Sequence, residues 1–419
     1  MEPGRFTVIA RTLDALSMLR AAGRELGRIA VSRGGGLRDD PLSASAITPE
    51  LMDEALSAAC PGVHVGQLRT LDGHSGTTDR ARIAIRCEQP GDGETPPASV
   101  FVKTAPRSLG ERVFVGVMEL GSTEVRFYDE IARAVRIPVP RAWHARHDAR
   151  TGRFLLVLED LAAAGARFTD VADRADLETA QKVVTALGTL HAGFWQSPRF
   201  GRDLSWLRRP GPRPGLRRER FLCRALVGRG VERFRDAIPD RVRASTRRLL
   251  SARDALENAW AQGERTLIHG DSHIGNMYFL DDAVGLLDWQ VTQCGQGMRD
   301  VSYFLVNSVP TELRRTHERD LIELWRSAIA AGGVTPPTAE TAFEQHRLHA
   351  DCFDRRRDEL FLLARCLGIR QHGNAFQLNF NALLRSFSRV APLRRRYAGA
   401  RRGCRGRACL LYTSDAADE

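Results

Sequence analysis

Residues 269–276 read HGDSHIGN, which puts two histidines, an aspartate and an asparagine within eight positions. Three chemistries could use such a set. A zinc cage would rest on His269 and His273, but Gly270 and Gly275 mark a loop rather than a ligating helix, and the neighbouring sequence offers no convincing third ligand. A metallophosphoesterase would need a later GHxH, which the chain lacks. The third reading is a loop whose carboxylate faces a hydroxyl, and its partners follow downstream. The apolar stretch TLI runs into His269, Asn276 stands five residues after Asp271, and MYFLDDAVGLLDW (277–289) is a strand pair that delivers Asp288. Oxygen donors suit magnesium, so Asn276 and Asp288 form a two-point Mg2+ clamp and Asp271 is left free for the hydroxyl. His269 and His273 are then expected to pack beneath the loop and brace it.

A phosphate site also needs a fixed cation. Of 62 basic residues only Lys103 and Lys182 are lysines, so the lysine kept in the apolar strand SVFVKTA (99–105) marks a place that requires a compact ammonium. Lys182 reads as an ordinary helical residue. The alternating RIAIRC (82–87), a turn-rich EQPGDGETPP and SVFVKT make a β-hairpin, and 122–135 has helical periodicity. The segment DGHSGTTDRARIAI (72–85) stands where a phosphate-covering loop belongs, with Gly76 and the hydroxyls of Ser75, Thr77 and Thr78 able to meet phosphate. RAWHARHD and FLLVLEDL add two strands around a turn at 149–153.

Beyond 161 the pattern turns helical, over 174–195, over 215–262 with breaks at Gly230 and Pro239, and over 299–309, 311–332 and 340–368, with a β-rich interval at 266–290. The expected fold is α+β and two-lobed, a small β-rich N-lobe and a larger helical C-lobe with the site in the cleft between them. The domain boundaries follow as an N-terminal extension over 1–46, the N-lobe over 47–160, the C-lobe over 161–390, and a basic tail over 391–419 that is neither periodic nor expected to fold. The last residues, LLYTSDAADE, look like adapter read-through.

The order H-x-D-x4-N resembles the protein-kinase catalytic loop, with Gly270 in place of its arginine. HGDSHIGN, LLDWQ, GMRDVSYFL, LVLEDL and LHAGFW together resemble the aminoglycoside phosphotransferase and choline kinase superfamily, in its ecdysteroid-kinase-like branch, over about residues 48–370. The resemblance implies a protein-kinase-like fold and ATP-dependent phosphorylation of a small-molecule hydroxyl. Carried over by position, it makes Asp271 the catalytic base, Asn276 and Asp288 the Mg2+ ligands, Lys103 the phosphate-gripping lysine and Glu124, opening the following helix, its partner. Backbone groups around Glu159 and Leu161 become the hinge that meets adenine, and Asp300 the support of the loop. Departures are Ser272 and Ile274, in place of a common leucine and proline, and Gln290, where many relatives carry a second acid.

Composition narrows the partners. The net charge is +11, and over 199–256 arginines outnumber acids by more than two to one, whereas the two balance over 298–372. RRPGPRPGLRRERF (208–221) lacks the interleaved aromatics of a stacking platform, so nucleic acid is not expected as a partner. The same surplus favours a neutral or anionic alcohol over a polycation; an aminoglycoside or other antibiotic kinase is the alternative, and a non-catalytic nucleotide-binding regulator the rival of another class. Eight scattered cysteines without a CxxC pair, no membrane span and no secretory signal place the protein in the cytoplasm.

Overall fold

The computed structural model describes residues 3–32, 41, 43–211, 213, 215–233, 240 and 253–350. Its β-rich part is one antiparallel sheet of β1 (His64–Ser75), β2 (Asp79–Gln89), β3 (Ser99–Thr104), β4 (Ala142–His147) and β5 (Phe154–Glu159), in the order β1-β2-β3-β5-β4. Side-chain alternation assigns the two faces. Ala81 and Ile83 of β2, Val100 and Val102 of β3, and Leu155 and Val157 of β5 bury against α2 (Pro49–Leu56), whose N-terminus is capped by Thr48 accepting from the Leu51 N–H at 3.3 Å. The other face presents Arg80, Arg82, Phe101 and Lys103 to the cleft.

Between β3 and β4 the chain makes α3 (Leu109–Val117) and α4 (Leu120–Arg126), the latter running on into a π turn at Phe127–Ile131. The single helix expected over 122–135 is therefore the second of two. The sequence signal for α3 is a capping box: Ser108 accepts from the Glu111 N–H at 3.2 Å and donates to the Glu111 carboxylate at 2.6 Å. Gly121 sets how near α4 can lie to the sheet, since a Cβ there would sit 2.4 Å from the Phe154 ring.

The C-lobe contains α5 (Leu177–Gly193), α6 (Leu216–Arg233), α7 (Arg253–Trp260), α8 (Met298–Ser308) and α9 (Thr311–Ala331), with the short strands β6 (Arg167–Phe168), β7 (Thr266–Ile268), β8 (Met277–Leu280), β9 (Ala283–Leu286) and β10 (Gln293–Gly295). The α+β, protein-kinase-like plan expected from the sequence is the one observed. One core joins the lobes, with Phe127 and Phe154 from the first and Trp289, Met277 and Val301 from the second all buried in it. The expected break at Gly230 is absent, because α6 continues through it to Arg233. Pro239, the helix expected beyond residue 350 and the tail 391–419 lie outside the described residues. No helix among the described residues is long and apolar enough to cross a membrane.

The stretch read as an N-terminal extension forms a 30-residue helix, α1 (Pro3–Ser32), packed on the fold. Met18, Ala21 and Ile29 bury against Val113 and Val117 of α3 and Leu222 of α6. Asp14, 1% exposed, accepts hydrogen bonds from Arg220 and Arg224 of α6. Removing that carboxylate would leave Arg224 without its acceptor and Arg220 with Asp254 alone. Asp14→Ala should lower the unfolding free energy by about 1–3 kcal/mol in urea titrations; an unchanged midpoint would show that α1 does not hold the fold.

Candidate active site

Lys103 is the centre of the cleft. Its place on β3, opposite Arg80 on β2 and Leu156 on β5, points the side chain into the cleft, where it is 4% exposed. The ammonium donates to Glu124 Oε1 at 2.7 Å and to Asp288 Oδ1 at 3.0 Å. Burial alone would lower the lysine pKa, but the two carboxylates outweigh it and hold the group charged. Burial likewise works against the charge on Asp288, and Lys103 reverses it, so that the Asp288 carboxyl titrates below its usual range. Glu124 is the fifth residue of α4, one turn inside the helix rather than at its opening, and its Oε2 is buried without a hydrogen-bond partner.

Asp288 reaches Lys103 through a strained backbone. It follows β9 in the left-handed region at φ 63°, conformationally costly for a non-glycine residue. The next residue, Trp289, locks that turn: fully buried, it stacks on Phe127 at 3.9 Å between ring centroids, and His269 meets it edge-on at 4.7 Å. The same aromatic contact therefore spaces α4, which carries Glu124, from the segment that carries Asp288.

The loop 269–276 is held from below by Asp300 of α8, which is fully buried. Its two oxygens accept the backbone N–H groups of His269 at 2.6 Å and Gly270 at 2.9 Å, and Ser272 Oγ donates to its carbonyl at 2.8 Å. Trp325 donates to His191 Nδ1, so the proton of that ring sits on Nε2, facing Asp300 at 3.5 Å. His269 Nε2 donates to the Leu287 carbonyl at 2.7 Å while its Nδ1 accepts the Asp271 N–H at 3.3 Å, a neutral ring whose pKa burial pushes down. Gly270 adopts φ 89°, and a Cβ would lie 2.4 Å from the Val291 carbonyl, so no larger residue fits between the loop and the turn beneath it.

These supports orient the two polar residues of the loop. Asn276 donates through Nδ2 to the Asp271 carbonyl at 2.9 Å and to Asp271 Oδ2 at 3.1 Å. His273 Nε2 lies 3.6 Å from the same Oδ2. Asp271 Oδ1 thus remains without a hydrogen-bond partner among the described residues. Asn276 Oδ1 accepts no hydrogen bond either, and with Asp288 it lines a cavity of about 530 Å³. An amide oxygen and a carboxylate at one cavity wall are hard donors that fit a divalent cation such as Mg2+. Gln290 Nε2 donates to Asp288 Oδ2 at 3.2 Å, so the residue standing in place of a second acid engages the remaining carboxylate oxygen. No cluster of three His, Cys, Asp or Glu side chains able to hold a metal occurs among the described residues.

The cavity collects Lys103, Glu124, Glu159, Leu161, Asn276 and Asp288; Asp271 is not among its lining residues and meets it through Asn276, and Ser75, Gly76 and Thr77 are left out as well. Those three form the tip of the β1–β2 hairpin, where the Gly76 N–H is given to the Thr78 carbonyl at 2.9 Å. The hairpin instead turns Asp72, Gly73 and His74 toward the cavity. Two functional candidates were passed over. Arg80 faces the cavity directly across from Lys103, a position given by strand alternation once the hairpin register is known. Asp160, 4% exposed, follows Glu159 and binds Arg82 through both oxygens at 2.9 and 3.0 Å, Ser99 at 2.6 Å and the Ala162 N–H at 3.2 Å, tying the hinge to β2 and β3.

Comparison with known proteins adds one decisive match. Residues 94–332 match the sequence profile of the phosphotransferase enzyme family designated APH. No curated protein sequence matches the chain. Among solved structures, the macrolide 2'-phosphotransferase of Brachybacterium faecium is 17% identical, with 76% of this chain and 99% of that one covered at a TM-score of 0.40. An amicoumacin kinase bound to AMP-PNP, Ca2+ and amicoumacin is 14% identical, covering 82% and 92% at 0.46. The wild-type aminoglycoside 2'-phosphotransferase-IIIa with GDP is 13% identical, covering 76% and 98% at 0.42. All three scores lie below 0.5.

The supports of the loop titrate. Burial would raise the Asp300 pKa, but the His191 hydrogen bond and the nearby Arg299 hold it below the usual range. Asp300 and His269 are both depressed, so each contributes stability that is complete above its unfolded pKa, about 3.9 and about 6.5, and lost as pH falls through its folded value. The unfolding free energy should therefore begin to fall below about pH 6.5 and fall more steeply below about pH 4. Asp300→Asn places a donor against the backbone N–H pair and should cost about 3 kcal/mol at neutral pH while removing the lower inflection. Urea midpoints across this range check both; a variant as stable as the parent would mean that the carboxylate does not hold the loop.

Proposed function

Because the chain belongs to the APH phosphotransferase enzyme family, we propose that it transfers the γ-phosphoryl group of ATP to a hydroxyl of a small molecule, with Asp271 as the catalytic base. The observation that carries this reading is the orientation of Asp271: Asn276, which lines the cavity that holds Lys103, occupies Oδ2 and leaves Oδ1 open. In that role Oδ1 accepts the hydrogen bond of the attacking hydroxyl, aligns it with the γ-phosphorus and takes its proton as the new P–O bond forms. Lys103, kept charged and fixed by Glu124, grips the α- and β-phosphates of the nucleotide. Arg80 extends that cationic wall along β2. The turn at Glu159 and Leu161, fastened by Asp160, receives the adenine. Asn276 and Asp288 would hold Mg2+, which when bound offsets the charge of the leaving phosphates.

Within this reading 47–160 is the nucleotide lobe and 161–390 the catalytic and acceptor lobe. The sequence motifs LLDWQ and GMRDVSYFL support placement in the ecdysteroid-kinase-like branch. The enzyme then works in the cytoplasm, where ATP is available.

The test is a magnesium-dependent ATP-consumption screen over a panel of alcohols, repeated on variants. Asp271→Asn should lower turnover by about 10²- to 10⁴-fold with nucleotide affinity nearly unchanged. Lys103→Met should weaken nucleotide binding as well as turnover, since it removes the cation and leaves Glu124 and Asp288 facing each other. Parent-like turnover in the Asp271→Asn variant would sink the assignment.

A further inference from the structure

A second cavity of about 590 Å³, sharing no lining residue with the first, lies between the end of α3 on one side and residues 200–211, Arg213 and the start of α6 on the other. Its wall holds Arg208, Arg209, Arg213, Arg218 and Arg265 against Glu119 and Glu219 as the lining acids. The acids are already engaged: Arg218 binds Glu119 at 3.2 Å and Arg213 binds Glu219 at 2.5 Å. Arg209 and Arg265 have no carboxylate partner among the described residues, and Arg208 reaches Glu219 only at 3.9 Å. Arg208 Nη2, Arg209 Nε and Arg213 Nε are buried without a hydrogen-bond partner among the described residues, so these guanidinium groups are under-satisfied. A ligand with several acceptor oxygens would pair with the guanidinium edges that line the cavity. Burial also lowers the pKa of Arg208, whose charge the neighbouring acids only partly restore.

Strand pairing links the wall of the cavity to the strand that leads into the catalytic loop. Arg208 pairs with Gln293 of β10, and Gln293 pairs with Ile268, the last residue of β7 before His269. Arg299, whose guanidinium donates to the Gly270 carbonyl at 2.8 Å, lies close enough to Arg208 for the two charges to repel. The apolar part of the wall is Phe200, Leu207 and Trp206, the last pinned by its Nε1 donating to Glu130 at 2.7 Å. A cavity of this volume suits a small molecule rather than a polymer surface.

We propose that this cavity binds the acceptor, and that the acceptor is an anionic alcohol: a carboxylate or phosphate group held by Arg208, Arg209 and Arg265, with an apolar body against Trp206 and Phe200. The inference rests on the phosphotransferase reading and narrows its substrate class.

The full chain, saturated with ADP, is titrated calorimetrically with 3-phosphoglycerate, which carries a phosphate, a carboxylate and one hydroxyl, and separately with glycerol, kanamycin and a short DNA duplex. The anion is expected to bind saturably and the other three at least tenfold more weakly. Arg209→Gln and Arg265→Gln should each weaken the anion by about tenfold with ADP affinity and Tm unchanged, because neither side chain has a partner to lose. Glu119→Gln, which removes a negative charge, should tighten the anion by about threefold, a change of sign that a merely structural role would not produce. ADP binding without saturable anion binding, anion affinity indifferent to these substitutions, or tighter binding of kanamycin or the duplex would overturn the proposal. Anion binding without ADP binding would overturn the phosphotransferase reading and, with it, the acceptor role.

Discussion

The site depends on burying one ammonium. Taking Lys103 out of water would drive it neutral unless acceptors meet it, and the fold supplies two, from different lobes. Glu124 arrives on α4, which can approach the sheet because Gly121 has no side chain to meet Phe154. Asp288 arrives on a left-handed turn after β9 that Trp289 clamps against Phe127. The ion triad and the aromatic stack are thus two layers of one lobe junction: stacking fixes the spacing, and the spacing makes the lysine's charge affordable in the interior.

Asp300 plays the corresponding part for the loop. A loop carrying reactive side chains has backbone N–H groups with no strand or helix to receive them, and two of these go to one buried carboxylate. His191, with Trp325 behind it, directs a third donor to the same group. The order of supports runs from the core outward, from Trp325 through His191 and Asp300 to the backbone of Gly270, and ends at Asp271, whose free oxygen is set by Asn276. His269 and His273 belong to this scaffold: the first bridges the loop to the Leu287 carbonyl and the second lies along the Asp271 carboxylate.

Much of this is readable in the chain because the chemistry is local. Asp271 and Asn276 lie in one loop, Asp288 follows one hairpin later, and Lys103 stands out as one of two lysines. The pairing of Lys103 with Glu124 needs only the right helix, whereas the start of that helix at Leu120 carries no side-chain cap to mark it. What stayed hidden is non-local. Arg80 becomes a cavity residue only through the register of β2 against β3, a pairing that alternation alone does not fix. Ser75, Gly76 and Thr77 have phosphate-loop composition, yet the hairpin tip satisfies Gly76 internally and turns its neighbours inward instead. The N-terminal helix buries Met18, Ala21 and Ile29 only against α3 and α6, which are distant in sequence.

The placement of charge follows from the proposed reaction. An anionic acceptor has to approach a triphosphate of the same sign, and at about 10 Å with an effective dielectric of about 20 each pair of unit charges repels by about 1.7 kcal/mol. In the nucleotide cavity Glu124 and Asp288 already consume the charge of Lys103 and Asp160 that of Arg82, which leaves Arg80 to offset only part of it. The surplus has to come from the acceptor side, where arginine serves better than lysine: its charge survives burial, and its planar donors match carboxylate and phosphate oxygens. Part of the arginine excess of 199–256 then has a position and not only a total, with Arg208, Arg209 and Arg213 lining the wall of a cavity that strand pairing links to the strand before the loop of Asp271.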